Sequence, residues 1–258
     1  MEIGRDLDGG LRAVLREYVL SLADDELVLG HRDSEWCAFA PLIEEDVAFA
    51  SIAQDEIAHA QMMLGMVQDL GGPGPDALAF GRASSAMRNA VLLERPNGDW
   101  AYSLTRHLVY DIADDLRTEA LLRSRERSLV LVAERMRREE RYHLEHGRTW
   151  VRALAHGGRE ALLRLQHALD RVAADSFDLF RPIAWEGALV RAGILAEEPS
   201  RLWEPFVARV QAEVGPFGLT FTPGRSGPHG RAGEHTPDLD GLLRTMGEVW
   251  RSDPHAIW

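Results

Sequence analysis

The sequence predicts an all-α fold: a bundle of four long helices followed by further, shorter helices. Three observations predict it. Apolar residues recur at the 3.6-residue period along most of the chain, while period-2 alternation is scarce. Clusters of breakers, such as "GGPGP" at 71–75, "RPNGDW" at 95–100 and "HGG" at 156–158, fall between the periodic runs. No linker divides the first 180 residues, so the chain reads as one domain, 1–258, with the bundle at about 10–180 and a helical C-terminal extension at about 181–258.

The first helix is expected over about 10–36, with Leu11, Leu15, Tyr18, Leu22, Glu26, Leu29 and Trp36 in one stripe. Pro41 suits the turn that follows. The second, about 42–70, carries Phe49, Ile52, Ala53, Glu56, His59, Met63, Met66 and Leu70, and stops at the Gly/Pro cluster. A shorter helical stretch is expected at 76–93. The third long helix, about 100–124, carries Leu104, Leu108, Asp111, Asp115, Thr118 and Leu122. The fourth, about 127–156, carries Leu129, Val132, Met136, Glu140, His143, Gly147, Trp150 and Leu154, and "HGG" ends it. A fifth runs over about 159–180. Shorter helices follow near 186–196, 200–214 and 238–251, around a Gly/Pro/His-rich segment at 215–237.

Composition narrows the function classes. At 45% hydrophobic and 27% charged, this is an ordinary globular composition. A formal charge of −12 argues against a nucleic-acid surface. The 29 basic residues are all Arg, a bias with no functional reading. Cys37 is the single cysteine, so no intrachain disulfide can form, which fits a cytoplasmic protein. The N-terminal residues do not resemble a signal peptide, and no apolar run approaches the roughly 18–20 residues that span a bilayer.

The chemistry lies in the stripes. Glu56 and His59 on the second helix, and Glu140 and His143 on the fourth, are two Glu-x-x-His pairs where bundle core belongs. Residues at i and i+3 share a face, and burying them costs free energy unless something pairs them. In di-iron carboxylate bundles two helices each give such a pair and the other two each give a carboxylate. Hairpin geometry locates candidates for those. Glu26 and Glu56 have Pro41 as their midpoint; the midpoint of Asp111 and Glu140 falls in the polar "RSRERS". Each site then lies about 15 residues, or roughly 22 Å, from its turn. Glu26, Glu56, His59, Asp111, Glu140 and His143 can therefore meet in one layer, as a site for two iron or manganese ions.

Taken singly, each of these residues is more often a satisfied core polar group than a ligand. Asp114 and Asp115 compete with Asp111, and Glu139 with Glu140. Asp24 and Asp25 beside Glu26 suit a solvated face. The competing reading is a metal-free bundle whose carboxylates pair with histidines or arginines. Met62, Met63 and Met66 read as core or interface filler. His31, His107 and His146 read as interface or surface residues.

"LGHRDSEWCAFAPLIEEDVAFASIAQDEIAHA" (29–60), "LLERPNGDWAYSLTRHLVYD" (92–111), "EERYHLEHGRTWVRAL" (139–154) and "EHTPDLDGLLRTM" (234–246) resemble the PaaC family nearly end to end. PaaC is the C-type component of the multicomponent phenylacetyl-CoA 1,2-epoxidase of aerobic phenylacetate breakdown. The resemblance implies a ferritin-like bundle and a structural role beside a catalytic A subunit. That partner would carry the working di-iron centre and bind phenylacetyl-CoA, with a reductase supplying electrons from NADPH. It also implies that family members carry non-ligand residues at the positions of Glu26, Glu56, His59 and Glu140, so no catalytic residue is carried over.

Three functions are weighed. The first is a structural subunit of the oxygenase, its apolar Trp203, Phe206, Phe217 and Trp258 being compatible with a protein partner; a homodimer in isolation is compatible too. The second is a self-sufficient di-iron or di-manganese oxygenase or ferroxidase. The third is a module that binds acyl-CoA without chemistry, which no Gly-rich phosphate loop supports.

Overall fold

The computed structural model describes residues 3–183 and 186–253. Its long helices are α1 (Gly9–Ser34) and α2 (Ile43–Asp69). After two short helices, α3 (Pro75–Phe80) and α4 (Val91–Glu94), come α5 (Trp100–Leu121), α6 (Arg127–Ala155) and α7 (Arg159–Asp175). The described C-terminal part adds α8 (Glu186–Arg191), α9 (Trp203–Val214), α10 (Pro237–Met246) and α11 (Glu248–Ser252). No strand occurs among the described residues, so the all-α, ferritin-like expectation holds.

Local chemistry sets the boundaries. Asp8 accepts from the Leu11 amide at 2.8 Å and starts α1. Asp99 does the same for Tyr102 and starts α5. The first turn of α2 has no side-chain cap but holds Glu44, Glu45 and Asp46, which suit the positive end of the helix dipole. Helices α1 and α2 form one hairpin, α5 and α6 another, and α7 packs on α5. Gly30 lets the first hairpin close tightly. A Cβ there would lie 2.9 Å from both Glu56 Cβ and Ile57 Cγ1.

Helix α1 is buried without a break from Tyr18 to Gly30, the pattern of a helix covered on every side. This corrects the reading of Asp24 and Asp25 as a solvated face: both are fully buried. The helix expected over 76–93 is also corrected. Between α3 and α4 only Ser84–Ala86 makes a 3-10 turn, and Met87 is extended. The reason is electrostatic: the amides of Arg88 and Ala90 donate to the Asp24 and Asp25 carboxylates rather than to helical carbonyls.

The segment after α7 does not display its aromatics. Trp203 and Phe206 are buried and stack with Phe177 and Phe180, and Phe217 is half-buried. They serve the core, not a partner surface. Trp258 lies outside the described residues.

Candidate metal centre

Both hairpins bring acidic and imidazole groups to one level of the bundle. Ligand atoms of Glu26 from α1, Glu56 and His59 from α2, and Glu140 from α6 all lie within 4.8 Å of one another. Glu56, His107 from α5 and His143 from α6 form a second such set, sharing Glu56 with the first. All six residues are buried.

The two histidines of the Glu-x-x-His pairs point the same nitrogen inward. His59 Nδ1 lies 3.1 Å from Glu140 and 3.5 Å from Glu26. His143 Nδ1 lies 3.3 Å from Glu56 and 3.7 Å from Glu140. Their outward nitrogens meet acids of the opposite helix. His59 Nε2 is 2.7 Å from Glu139 on α6, and His143 Nε2 is 3.3 Å from Asp55 on α2. Each acid directly precedes the glutamate of its own helix's pair. A carboxylate on the outer nitrogen orients the ring and, once the inner proton is lost, leaves the inner nitrogen as an acceptor.

The inner atoms are close without being satisfied. Both oxygens of Glu56 and of Glu140, one oxygen of Glu26, and Nδ1 of His59 and His143 are buried without a hydrogen bond of good geometry. Native interiors rarely leave such groups unpaired. Tyr110 alone satisfies part of the set, donating to Glu26 at 2.6 Å.

Protonation of the protein groups reflects this crowding. Burial, then the charges of Glu26 and Glu140, hold Glu56 well above the usual carboxylate range. Burial would also raise Glu26, but the closeness of Glu56 and His59 pulls it below. For His59 burial opposes the charged form, yet Glu140 and Glu26 outweigh it and push the imidazole up to about 11. His143 is raised in the same way by Asp55, Glu140 and Glu56. Glu140 is held low against its burial by the two histidines.

Helix α5 brings two residues to the edge of this cluster. Asp111 is buried at the edge of the cluster, 3.5 Å from His107 Nε2, and burial lifts its carboxyl to about 7. His107 is no surface residue. It is fully enclosed between Asp111 and Asp33, the latter 3.2 Å from its Nδ1. A signal for it exists in the sequence: residues 104, 107, 108 and 111 share one helical face. The alternatives on α5 are engaged elsewhere, Asp114 with Arg117 at 3.2 Å and Asp115 with Arg209. Glu140 is the inner acid of α6 and Glu139 the outer one. Met63 and Met66 are core filler, as expected, with Met62 packed against them.

A chain with these features matches the family model for phenylacetic acid catabolic proteins over residues 7–258. Among curated proteins it is similar to the C-type component of the 1,2-phenylacetyl-CoA epoxidase of Escherichia coli (strain K12). The two are 32% identical over 248 residues, covering 95% of this chain and 99% of that protein. No helix among the described residues is long and apolar enough to cross a membrane. The end-to-end match and the all-α bundle together show that the chain belongs to the phenylacetic acid catabolic protein family, on its PaaC side.

Proposed function

We propose that this chain is the C-type component of a cytoplasmic phenylacetyl-CoA 1,2-epoxidase, supporting a catalytic A subunit that a reductase serves. The observation that carries the reading is the 32% identity to such a C-type component across almost the full length of both chains. It favours a component of a complex over a self-sufficient oxygenase. Reconstitution tests it. Epoxidation of phenylacetyl-CoA by the A subunit and the remaining components should depend on adding this chain. Equal turnover without it would sink the proposal.

A specific observation favours a second element of the same reading, that the bundle core of this subunit holds metal. The orphaned inner atoms of Glu26, Glu56, His59, Glu140 and His143 are oxygen and imidazole donors facing each other, with His107 and Asp111 alongside. Such donors suit divalent iron or manganese, whose charge would offset the crowded carboxylates. Bound there, such ions would supply a redox-active site for dioxygen, with electrons drawn from the reductase. The chain's own part is to hold the inner nitrogens as acceptors through Glu139 and Asp55, and to keep the site dry. Metal content of the purified chain, beside a Glu56→Ala/His59→Ala variant, tests this. About two ions per chain, lost in the variant, are expected. No metal after reconstitution with ferrous or manganous ions would show a purely structural polar network.

A further inference from the structure

The turn between α1 and α2 carries a surface that the metal centre does not use. Four of the large apolar side chains most open to solvent fall within residues 39–47: Phe39 at 77%, Leu42 at 52%, Ile43 at 80% and Val47 at 68% exposure. The other exposed large apolar side chains among the described residues, Tyr142, Leu163 and Val249, are scattered singly on α6, α7 and α11. Ile43 and Val47 are one helical turn apart and share a face of α2. Single exposed apolar groups are ordinary, whereas a run of them marks an interaction site.

The backbone holds this run outward. Ala38 has φ +68°, the sole non-glycine residue with positive φ among the described residues. Such a conformation is strained and persists only where its surroundings enforce it. Here they do. The Ala38 amide donates to Asp46, and the Trp36 carbonyl accepts from the amides of Phe39 and Ala40 at 2.8 and 3.0 Å. Trp36 is in turn anchored by a 2.9 Å hydrogen bond to Ser103 and by edge contact with Trp100. The turn is therefore preformed around a phenylalanine that faces water. A preformed surface loses little freedom on binding.

The charge around it is of one sign. Residues 33–48 contain five acids and no base. Asp33 and Glu45 are buried and Glu35 is paired with Arg32 at 2.7 Å, which leaves Glu44 and Asp46 beside the apolar centre; Glu44 is exposed and makes no ion pair among the described residues. An apolar centre with an acidic rim fits an apolar groove with a basic rim. A second copy of this chain, docked by the same face, would set like charges together.

We propose that the 36–47 turn is a preformed knob that docks into the A subunit, in an apolar groove edged by arginine or lysine. The proposal rests on the subunit reading above. Cys37, exposed within the knob and the chain's single cysteine, provides the probe. The full chain labelled there with an environment-sensitive maleimide dye is titrated with the cognate A subunit, and assembly of the unlabelled chain is followed in parallel by gel filtration. Expected are a saturable blue shift of the dye and an affinity that falls with salt. Ile43→Asp/Val47→Asp should weaken binding at least about tenfold with unchanged melting temperature, and Leu163→Asp should leave binding intact. A complex that forms with no dye response, and equally well with the double variant, overturns the docking proposal while the subunit reading stands. No complex with the unlabelled chain overturns both. A dye shift that depends on the chain's own concentration, without the A subunit, assigns the knob to self-association and overturns it too.

Discussion

Asp25 and Glu26 are neighbours on α1, equally buried, and their surroundings differ in kind. Asp25 receives Arg117 at 2.8 Å, Arg231 at 2.5 and 3.0 Å, and the Ala90 amide at 2.8 Å. Around it lie more acids treated the same way. Asp24 is paired with Arg82, Asp178 accepts from the amides of Val91 and Gly230, and Glu94 holds His235 and Thr236. Glu26 instead faces Glu56, Glu140 and His59, with only Tyr110 donating to it. One side of the helix neutralises its carboxylates with the protein's own cations and donors. The other side gathers carboxylates whose inner oxygens have no such donor. Burial of an acid thus says little alone; what completes its charge distinguishes a structural tie from a cation site.

Breaking the satisfied side should have the largest effect. Asp25→Ala leaves the buried Arg231 without a carboxylate and Arg117 with Asp114 alone, and should cost about 3–5 kcal/mol of stability. Urea unfolding in the presence of a chelator measures it, and a loss below about 1 kcal/mol would contradict the contrast. On the other side the response should depend on metal. A glutamine at position 56 can imitate the protonated Glu56, so Glu56→Gln should be nearly neutral in chelator. Manganous ion at about a hundred times its Kd should stabilise the wild type by about 2.7 kcal/mol and leave the variant unmoved. Equal thermal shifts in both proteins would place the cation elsewhere. The smallest effect concerns His235. Burial lowers its pKa, but Glu94 more than offsets this and raises it above the ordinary value. The fold therefore prefers the imidazolium. That contribution is complete below about pH 6.5 and is lost as pH rises through the folded pKa. His235→Gln should flatten the stability profile over that rise and leave the acid side alone.

The site is partly legible in the sequence because its information is local. Two i, i+3 pairs and the mirror geometry of a hairpin suffice to set Glu26 beside Glu56, and the structure does bring them together. The satisfied side is not legible. Asp25 finds its partners 92 and 206 positions along the chain, and no periodicity encodes such a pairing. The same cause explains the failed helix at 76–93. Its periodic apolar residues are real, but two buried aspartates claim its amides. His107 escapes a reading that takes each histidine alone rather than with Asp111 one turn away.

The crossed contacts of the two outer acids carry a consequence for how such a site can decay. Asp55 steadies the histidine of the fourth long helix, and Glu139 steadies that of the second. Neither hairpin owns a self-sufficient half. Loss of one helix's motif strips the support from its neighbour's histidine as well, so erosion in a lineage would proceed by paired replacement rather than by single steps. In this chain both crossed acids and both inner pairs are present, so each histidine is supported from the facing hairpin.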